Sequence, residues 1–234
     1  MPVFRLSESL VFPPPERAER GGLLAMGGDL SPQRLLLAYE QGIFPWFSDG
    51  EPILWWSPDP RFVLFPKELK VSASMRQVLR RNVFRITFDQ AFAEVIAHCQ
   101  QIPRPGQDGT WITAEVQAAY TELHRLGFAH SVEVWQGDDL AGGLYGVSLG
   151  SCFFGESMFA RVSNASKAGF ITLVQALEER NFQLIDCQIY TPHLESLGAR
   201  GLRRRDFLIR LAELLRSPTW QGSWGGWREK ASPA

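Results

Sequence analysis

Two carboxylates and an amide stand in segments where charge and polarity are otherwise scarce. In Leu184-Ile185-Asp186-Cys187-Gln188, a strand with a side-chain period of two projects Asp186 and Gln188 from one face and Ile185 and Cys187 from the other. A carboxylate beside an amide on a buried strand is costly unless partnered, so the pair is either a structural hydrogen-bonded unit or a site. Glu156, inside the apolar run Phe153-Phe154-Gly155-Glu156-Ser157-Met158-Phe159, poses the same question. Aromatic segments accompany them: Gly42-Ile43-Phe44-Pro45-Trp46-Phe47, Trp55-Trp56-Ser57-Pro58-Asp59-Pro60-Arg61 and Gly109-Thr110-Trp111-Ile112-Thr113. Exposed indoles stack on nucleic-acid bases at about 1 to 3 kcal/mol each, whatever the base. The competing reading, strongest for Trp55 and Trp56, is that they lock two subdomains together.

Charge supports a polyanionic partner locally but not globally. The 234-residue chain carries 24 Lys and Arg against 25 Asp and Glu, so no overall positive field draws in phosphate. From Arg61 to Gln90, however, seven basic residues (Arg61, Lys67, Lys70, Arg76, Arg80, Arg81, Arg85) face only Glu68 and Asp89. Arg76 and Arg80 are four apart, hence on one helix face, with Arg81 beside them. This resembles a phosphate footprint, the plainer alternative being a solvated helix face. Arg200, Arg203, Arg204 and Arg205 either extend it or precede the last helix.

Other chemistries lack their motifs. There is no Walker A loop, no dinucleotide-binding glycine fingerprint and no H-E-x-x-H, which removes weight from nucleotide hydrolysis and hydride transfer. Four scattered histidines and three widely spaced cysteines, Cys99, Cys152 and Cys187, give no reason to expect a metal, and suit a reducing, cytoplasmic compartment. The longest uncharged stretch, Leu140 to Gly155, is too short to span a bilayer and is interrupted by glycines.

The elements that must position these residues are legible from caps and periodicity. Composition, 45% hydrophobic and 21% charged, is that of a globular protein of one or two domains. Residues 1–60, rich in Pro, Gly and Trp, form a small N-terminal α/β subdomain with one marked helix, capped by Ser31, started by Pro32 and stopped by Gly42. Residues 61–234 alternate amphipathic helices and short strands and end in an irregular, Trp-rich tail from Ser217. Helices are expected after Ser72, Asp89, Thr113 and Asn164, and around Phe207 to Leu215. Strands are expected at 83–88, 131–135, 140–147, 151–154 and 184–189. Short connections between strands predict α+β architecture with a mixed, mostly antiparallel sheet flanked by helices.

Together these segments resemble the leucyl/phenylalanyl-tRNA-protein transferases, bacterial enzymes that add Leu or Phe from aminoacyl-tRNA to proteins beginning with Lys or Arg. The resemblance runs from Gly22-Leu23-Leu24-Ala25-Met26-Gly27-Gly28-Asp29-Leu30 through the aromatic segments, His130 to Trp135, Phe153 to Phe159, Asn164-Ala165-Ser166-Lys167, Leu184 to Gln188 and His193 to Ala199. It covers about the first 210 residues. It implies a GNAT-like acyltransferase domain. No [QR]-x-x-G-x-[GA] loop for the pyrophosphate of coenzyme A is present, so the acyl donor is expected to be the tRNA ester, without a cofactor.

By the same resemblance, Tyr39, Trp46, Trp111 and Tyr120 hold the terminal adenosine, and Arg76, Arg80 and Arg81 meet acceptor-stem phosphates. The aminoacyl side chain, Leu or Phe with Met as a further candidate, enters a pocket built from Leu144, Phe153, Gly155, Met158, Leu173, Leu177 and Ile185. Leu at positions 144, 173 and 177 departs from the Met or Phe associated with the family pocket. The catalytic group is Asp186, Gln188 and Glu156: Asp186 as orienter or base for the attacking amine, Gln188 beside it, Glu156 holding an ammonium. A monomer marking proteins for N-end rule degradation is expected, with no membrane partner. The alternatives are another aminoacyl-tRNA-dependent transferase, a tRNA-binding scaffold and a CoA acyltransferase.

Overall fold

Ser31 begins the first helix as its type and position require: its hydroxyl accepts from the Arg34 amide, and Pro32 occupies the first turn. This helix, α1 (Pro32–Glu40), packs beside a four-stranded sheet of β1 (Phe4–Leu6), β2 (Leu23–Gly27), β3 (Phe44–Pro45) and β4 (Leu54–Trp56). The order is β1-β2-β4-β3, with β1 and β2 parallel. The computed structural model describes residues 3–102 and 110–227; Gly109 of the third aromatic segment and residues 228–234 of the tail lie outside the described residues.

The larger sheet has seven strands in the order β11-β5-β10-β9-β8-β7-β6. They are β5 (Arg61–Leu64), β6 (Arg85–Phe88), β7 (Ala129–Gln136), β8 (Asp139–Leu149), β9 (Cys152–Ala160), β10 (Leu184–Gln188) and β11 (Arg200–Leu202). All neighbours are antiparallel except β9 and β10. Helices α2 (Ala73–Arg80), α3 (Phe92–Gln101), α4 (Ala114–Arg125), α5 (Ala165–Glu179), α6 (Pro192–Ser196) and α7 (Arg204–Leu214) complete an α+β molecule.

The period-two alternation of β8 and β9 divides the core. Tyr145 and Phe154 face one cluster, shared with Leu35, Tyr39, Trp55 and Tyr120, while Leu144 and Phe153 face a second, built around α5. Because the first cluster includes residues from both sheets, the small sheet is fused to the large one through a continuous apolar core. Trp55 is fully buried there, so for this residue the packing reading holds.

Several expectations need correction. Strand β9 extends to Ala160 rather than stopping at 154, because β8 supplies pairing partners along its whole length. Asp89 is not the cap of α3, whose N-cap is Ala91. At a φ of 55°, Asp89 accepts instead from the Ser131 amide at 2.9 Å and the Trp224 amide at 2.7 Å, and pairs with His130 Nδ1 at 2.9 Å. Asn164 occupies the N-cap of α5 in left-handed geometry, without a side-chain capping bond.

Asp89 thereby anchors the tail. Trp224, 1% exposed, stacks on His130 at 3.6 Å and on Trp227 at 3.8 Å between ring centroids. Arg180 lies over Trp227 at 4.1 Å and donates to its carbonyl. Trp224→Ala is expected to lower unfolding free energy by about 3 to 5 kcal/mol, the cost of emptying a large aromatic site. Urea denaturation checks it, and a loss below about 1 kcal/mol would show that the tail is not fastened to the core.

Candidate active site

The sheet opens where β9 and β10 part. Their parallel pairing covers Cys152–Leu184, Phe153–Ile185 and Phe154–Asp186 and then stops. Each strand carries an irregularity at that point. Between β8 and β9 the register passes from Tyr145–Ser157 to Gly146–Gly155, leaving Glu156 as the extra residue. Between β5 and β10 it passes from Val63–Asp186 to Phe62–Gln188, leaving Cys187 as the extra residue. Bulges re-aim side chains, and here Gln188, at a φ of 64°, turns its amide to Glu156.

The gap is a cavity of about 550 Å³. Leu144, Phe153, Phe170 and Ile185 form an apolar part of its wall, Trp46 and Trp111 another, and Glu156 is the carboxylate on its lining. Glu156 accepts from Tyr39 Oη at 2.7 Å and Gln188 Nε2 at 2.8 Å on one oxygen, and from Tyr120 Oη at 3.1 Å on the other. The two tyrosine hydroxyl oxygens also lie in contact with each other. Burial pushes the Glu156 carboxyl up to about 7, against the opposing pull of the donors from Tyr39, Tyr120 and Gln188. Burial, aided by the Glu156 charge, raises both tyrosines well above their ordinary value, so they stay neutral donors.

Asp186 has a different setting from the one expected. It is fully buried, does not border the cavity, and receives Arg61 at two points, Nε at 2.8 Å and Nη2 at 2.6 Å. Its Oδ1 also accepts the Gln188 backbone amide at 3.0 Å. The expected bond between Asp186 and Gln188 therefore runs through the main chain, and the bulge puts the Gln188 side chain on the cavity while Asp186 points away. Arg61, counted above as part of a phosphate footprint, is fully buried between the rings of Phe44 and Phe207, at 4.7 and 4.8 Å. A single cation heading the apolar run Arg61-Phe62-Val63-Leu64-Phe65 was the available signal, since such a charge needs a buried partner.

Other expected residues divide between the cavity and the core. Leu144, Phe153, Gly155, Met158 and Ile185 line the cavity, as do Trp46 and Trp111. Leu173 and Leu177 do not: both are fully buried in the core beneath α5, and Phe170 and Ser166 are the residues of that helix on the cavity wall. Tyr39 and Tyr120 are fully buried, so neither presents a face to an adenine; their hydroxyls hold Glu156 instead. Arg76 within α2, Arg80 at its last turn and Arg81 at its C-cap are exposed and are not part of the lining. His193, not singled out by sequence, also borders the cavity, and burial together with nearby Lys167 lowers its pKa.

A carboxyl whose folded pKa lies above its unfolded value keeps its proton in the folded state while the unfolded chain releases it. Stability must therefore fall as pH rises from the ordinary Glu value of 4.5 to about 7. Glu156→Gln is expected to remove that slope, so that denaturant midpoints of variant and parent diverge in the variant's favour across this window. Parallel midpoint curves would contradict the raised pKa.

Comparison with known proteins identifies the family. The family model described as leucyl/phenylalanyl-tRNA protein transferase matches residues 63–212, and the model for that family's N-terminal domain matches residues 28–59. The curated leucyl/phenylalanyl-tRNA–protein transferase of Syntrophobacter fumaroxidans is 59% identical over 97% of each chain. Those of Syntrophus aciditrophicus, 59% over 99% of this chain and 97% of the other, and Myxococcus xanthus, 54% over 96% and 97%, are similar along their length. Among solved structures, a protein of unknown function from Staphylococcus epidermidis gives a TM-score of 0.44 at 9% identity over 77% of this chain and 68% of its own, too remote to assign a fold. With two family models and near-full-length relatives in agreement, the chain belongs to the leucyl/phenylalanyl-tRNA protein transferase family.

Proposed function

We propose that the cavity between β9 and β10 is the site at which Leu or Phe passes from aminoacyl-tRNA to the α-amino group of a protein beginning with Lys or Arg, marking it for N-end rule degradation. The observation that carries the reading is an apolar cavity with one carboxylate, Glu156, held by Gln188 and two tyrosines. The wall of Leu144, Phe153, Gly155, Met158, Phe170 and Ile185 suits an uncharged Leu or Phe side chain, since burying a charged one there is costly. Trp46 and Trp111 suit the terminal adenosine, and exposed Arg76, Arg80 and Arg81 suit acceptor-stem phosphates. Recognition then depends on the shared CCA end and backbone charge more than on tRNA sequence.

The reaction is aminolysis of an ester. The acceptor nitrogen bonds to the aminoacyl carbonyl carbon, the bond to the tRNA ribose oxygen breaks, and that oxygen leaves with a proton. The ester is already activated, so the enzyme has mainly to position two substrates and accommodate a proton. The attacking amine, with a reference pKa of about 7.7 to 8.0, arrives mostly as ammonium at neutral pH. Glu156 and Gln188 are the polar groups placed to hold an amine. Asp186, paired with Arg61, acts through the Gln188 backbone as a positioning residue. The reading includes a GNAT-like topology for residues 61–234, residues 1–60 as a small N-terminal subdomain, and a cytoplasmic monomer.

The direct test mixes purified protein and radiolabelled Leu-tRNA with matched proteins beginning with Arg, Asp or Met, alongside an RNase-treated control. Label on the Arg protein alone, abolished by RNase, is expected; label on the Asp protein changes the substrate, and no label removes the transferase reading. Replacing Arg76, Arg80 and Arg81 by Ala is expected to raise KM for aminoacyl-tRNA at near-constant kcat and to reduce the salt slope by about 2 to 3, since each phosphate contact contributes about 0.7 to 0.9. An unchanged salt slope would take the phosphate role from these residues.

A further inference from the structure

Phe153 forms part of the wall offered to the aminoacyl side chain. Its ring rests directly on the backbone of β8, where a Cβ at Gly146 would meet the ring carbons Cζ and Cε1 at 2.5 and 2.7 Å. A side chain that borders a void lacks partner atoms on that side, so its position depends on what stands behind it. Behind it is the tail. Trp224, which does not border the cavity, meets the Phe153 ring at 5.9 Å between centroids and 40° between planes.

Trp224 is in turn held by several elements. Asp89 takes its amide, the Trp220 carbonyl accepts from its indole N–H at 3.1 Å, and its ring is stacked between His130 of β7 and Trp227, with Phe182 edge-on at 6.0 Å. Such contacts would fasten a strap anywhere on the molecule. Here they converge on an indole that backs a wall of the cavity.

Resting on the function proposed above, we infer that Trp224 is a positioning residue that determines specificity: by backing Phe153 it fixes the depth of the aminoacyl pocket and so sets the preference between Leu and Phe. Both side chains are apolar and uncharged, so the pocket distinguishes them by room, and room is defined only by walls that do not yield. Close-packed interiors resist yielding, and the stack of His130, Trp224 and Trp227 extends that packing to the outer side of Phe153. The Trp-rich tail, which has no period or motif in the sequence, thereby takes part in substrate choice without touching the substrate.

The test supplies Leu-tRNA and Phe-tRNA together, with one Arg-led peptide, to the parent enzyme and to Trp224→Phe, Trp224→Leu and Trp224→Ala. The ratio of the two products reports the ratio of kcat/KM values. The fraction of folded enzyme cancels from it, so a variant that is only less stable leaves it unchanged. Emptying the space behind Phe153 is expected to move the ratio toward Phe by about tenfold or more in Trp224→Leu and Trp224→Ala, the scale on which a hydrophobic pocket responds to one methylene of room. Trp224→Phe, which keeps a ring in the stack, should fall between them and the parent, and gives a reading even if the smaller side chains prevent folding. Trp220→Ala is the control: Trp220 belongs to the same tail, is 47% exposed, and its ring meets Trp227 rather than Phe153. Its ratio should stay within about twofold of the parent, below the effect of one methylene. A ratio unchanged in every Trp224 variant, moved toward Leu, or moved as far by Trp220→Ala overturns the inference, while product from either tRNA leaves the transferase intact. Absence of product from the parent enzyme overturns both.

Discussion

The contact between Arg61 and Asp186 is the constraint on which the site depends. Two unit charges with no exposed surface are tolerated only because each satisfies the other at close range, and loss of either partner from such a pair costs about 3 to 5 kcal/mol. The pair joins β5 to β10 by side chains at the point where their backbone register slips. It also fixes Gln188, whose amide hydrogen bonds to the same carboxylate. Phe44 from the small sheet and Phe207 from α7 close over the guanidinium, so the N-terminal segment and the penultimate stretch of chain both bear on one ion.

From that anchor the polarity of the cavity follows. Gln188, held by its backbone, reaches Glu156, and Glu156 is gripped from the far side by Tyr39 of α1 and Tyr120 of α4. Three elements remote in sequence thus fix one carboxylate. Its donors oppose the effect of burial, leaving it near the midpoint of titration at neutral pH, where a small change in its surroundings decides its charge. An approaching ammonium supplies such a change.

How far the sequence could be read depended on the kind of signal. Glu156 and Gln188 stood out because polar side chains in apolar strands need a reason to be there, and that argument survives any detail of geometry. The apolar stripe of α5 correctly marked a buried face but not the part of it that borders a void, so Leu173 and Leu177 fell in the core while Phe170 reached the cavity. Counting charges assigned Arg61 to the surface because a count is blind to burial. Tyr39 and Tyr120 are aromatic and near the site, but the adenosine role carried to them by resemblance meets two side chains enclosed in the core. The ideal period of two put Asp186 and Gln188 together. The bulge that separates them arises from a mismatch between neighbouring strands, which no single strand's sequence displays.

A recess inside a sheet differs from an exposed sheet margin in what it admits. Unpaired strands at the margin can recruit another sheet and are an aggregation hazard, whereas the recess is walled by Trp46 and Trp111 and by residues of α5 and α6. A folded domain cannot enter a space of about 550 Å³; a single thread of polypeptide can. Whether a protein is modified is then governed by how loosely its own chain end is held as well as by which residue comes first, so that fraying, which exposes termini before the rest of a fold gives way, becomes part of the signal.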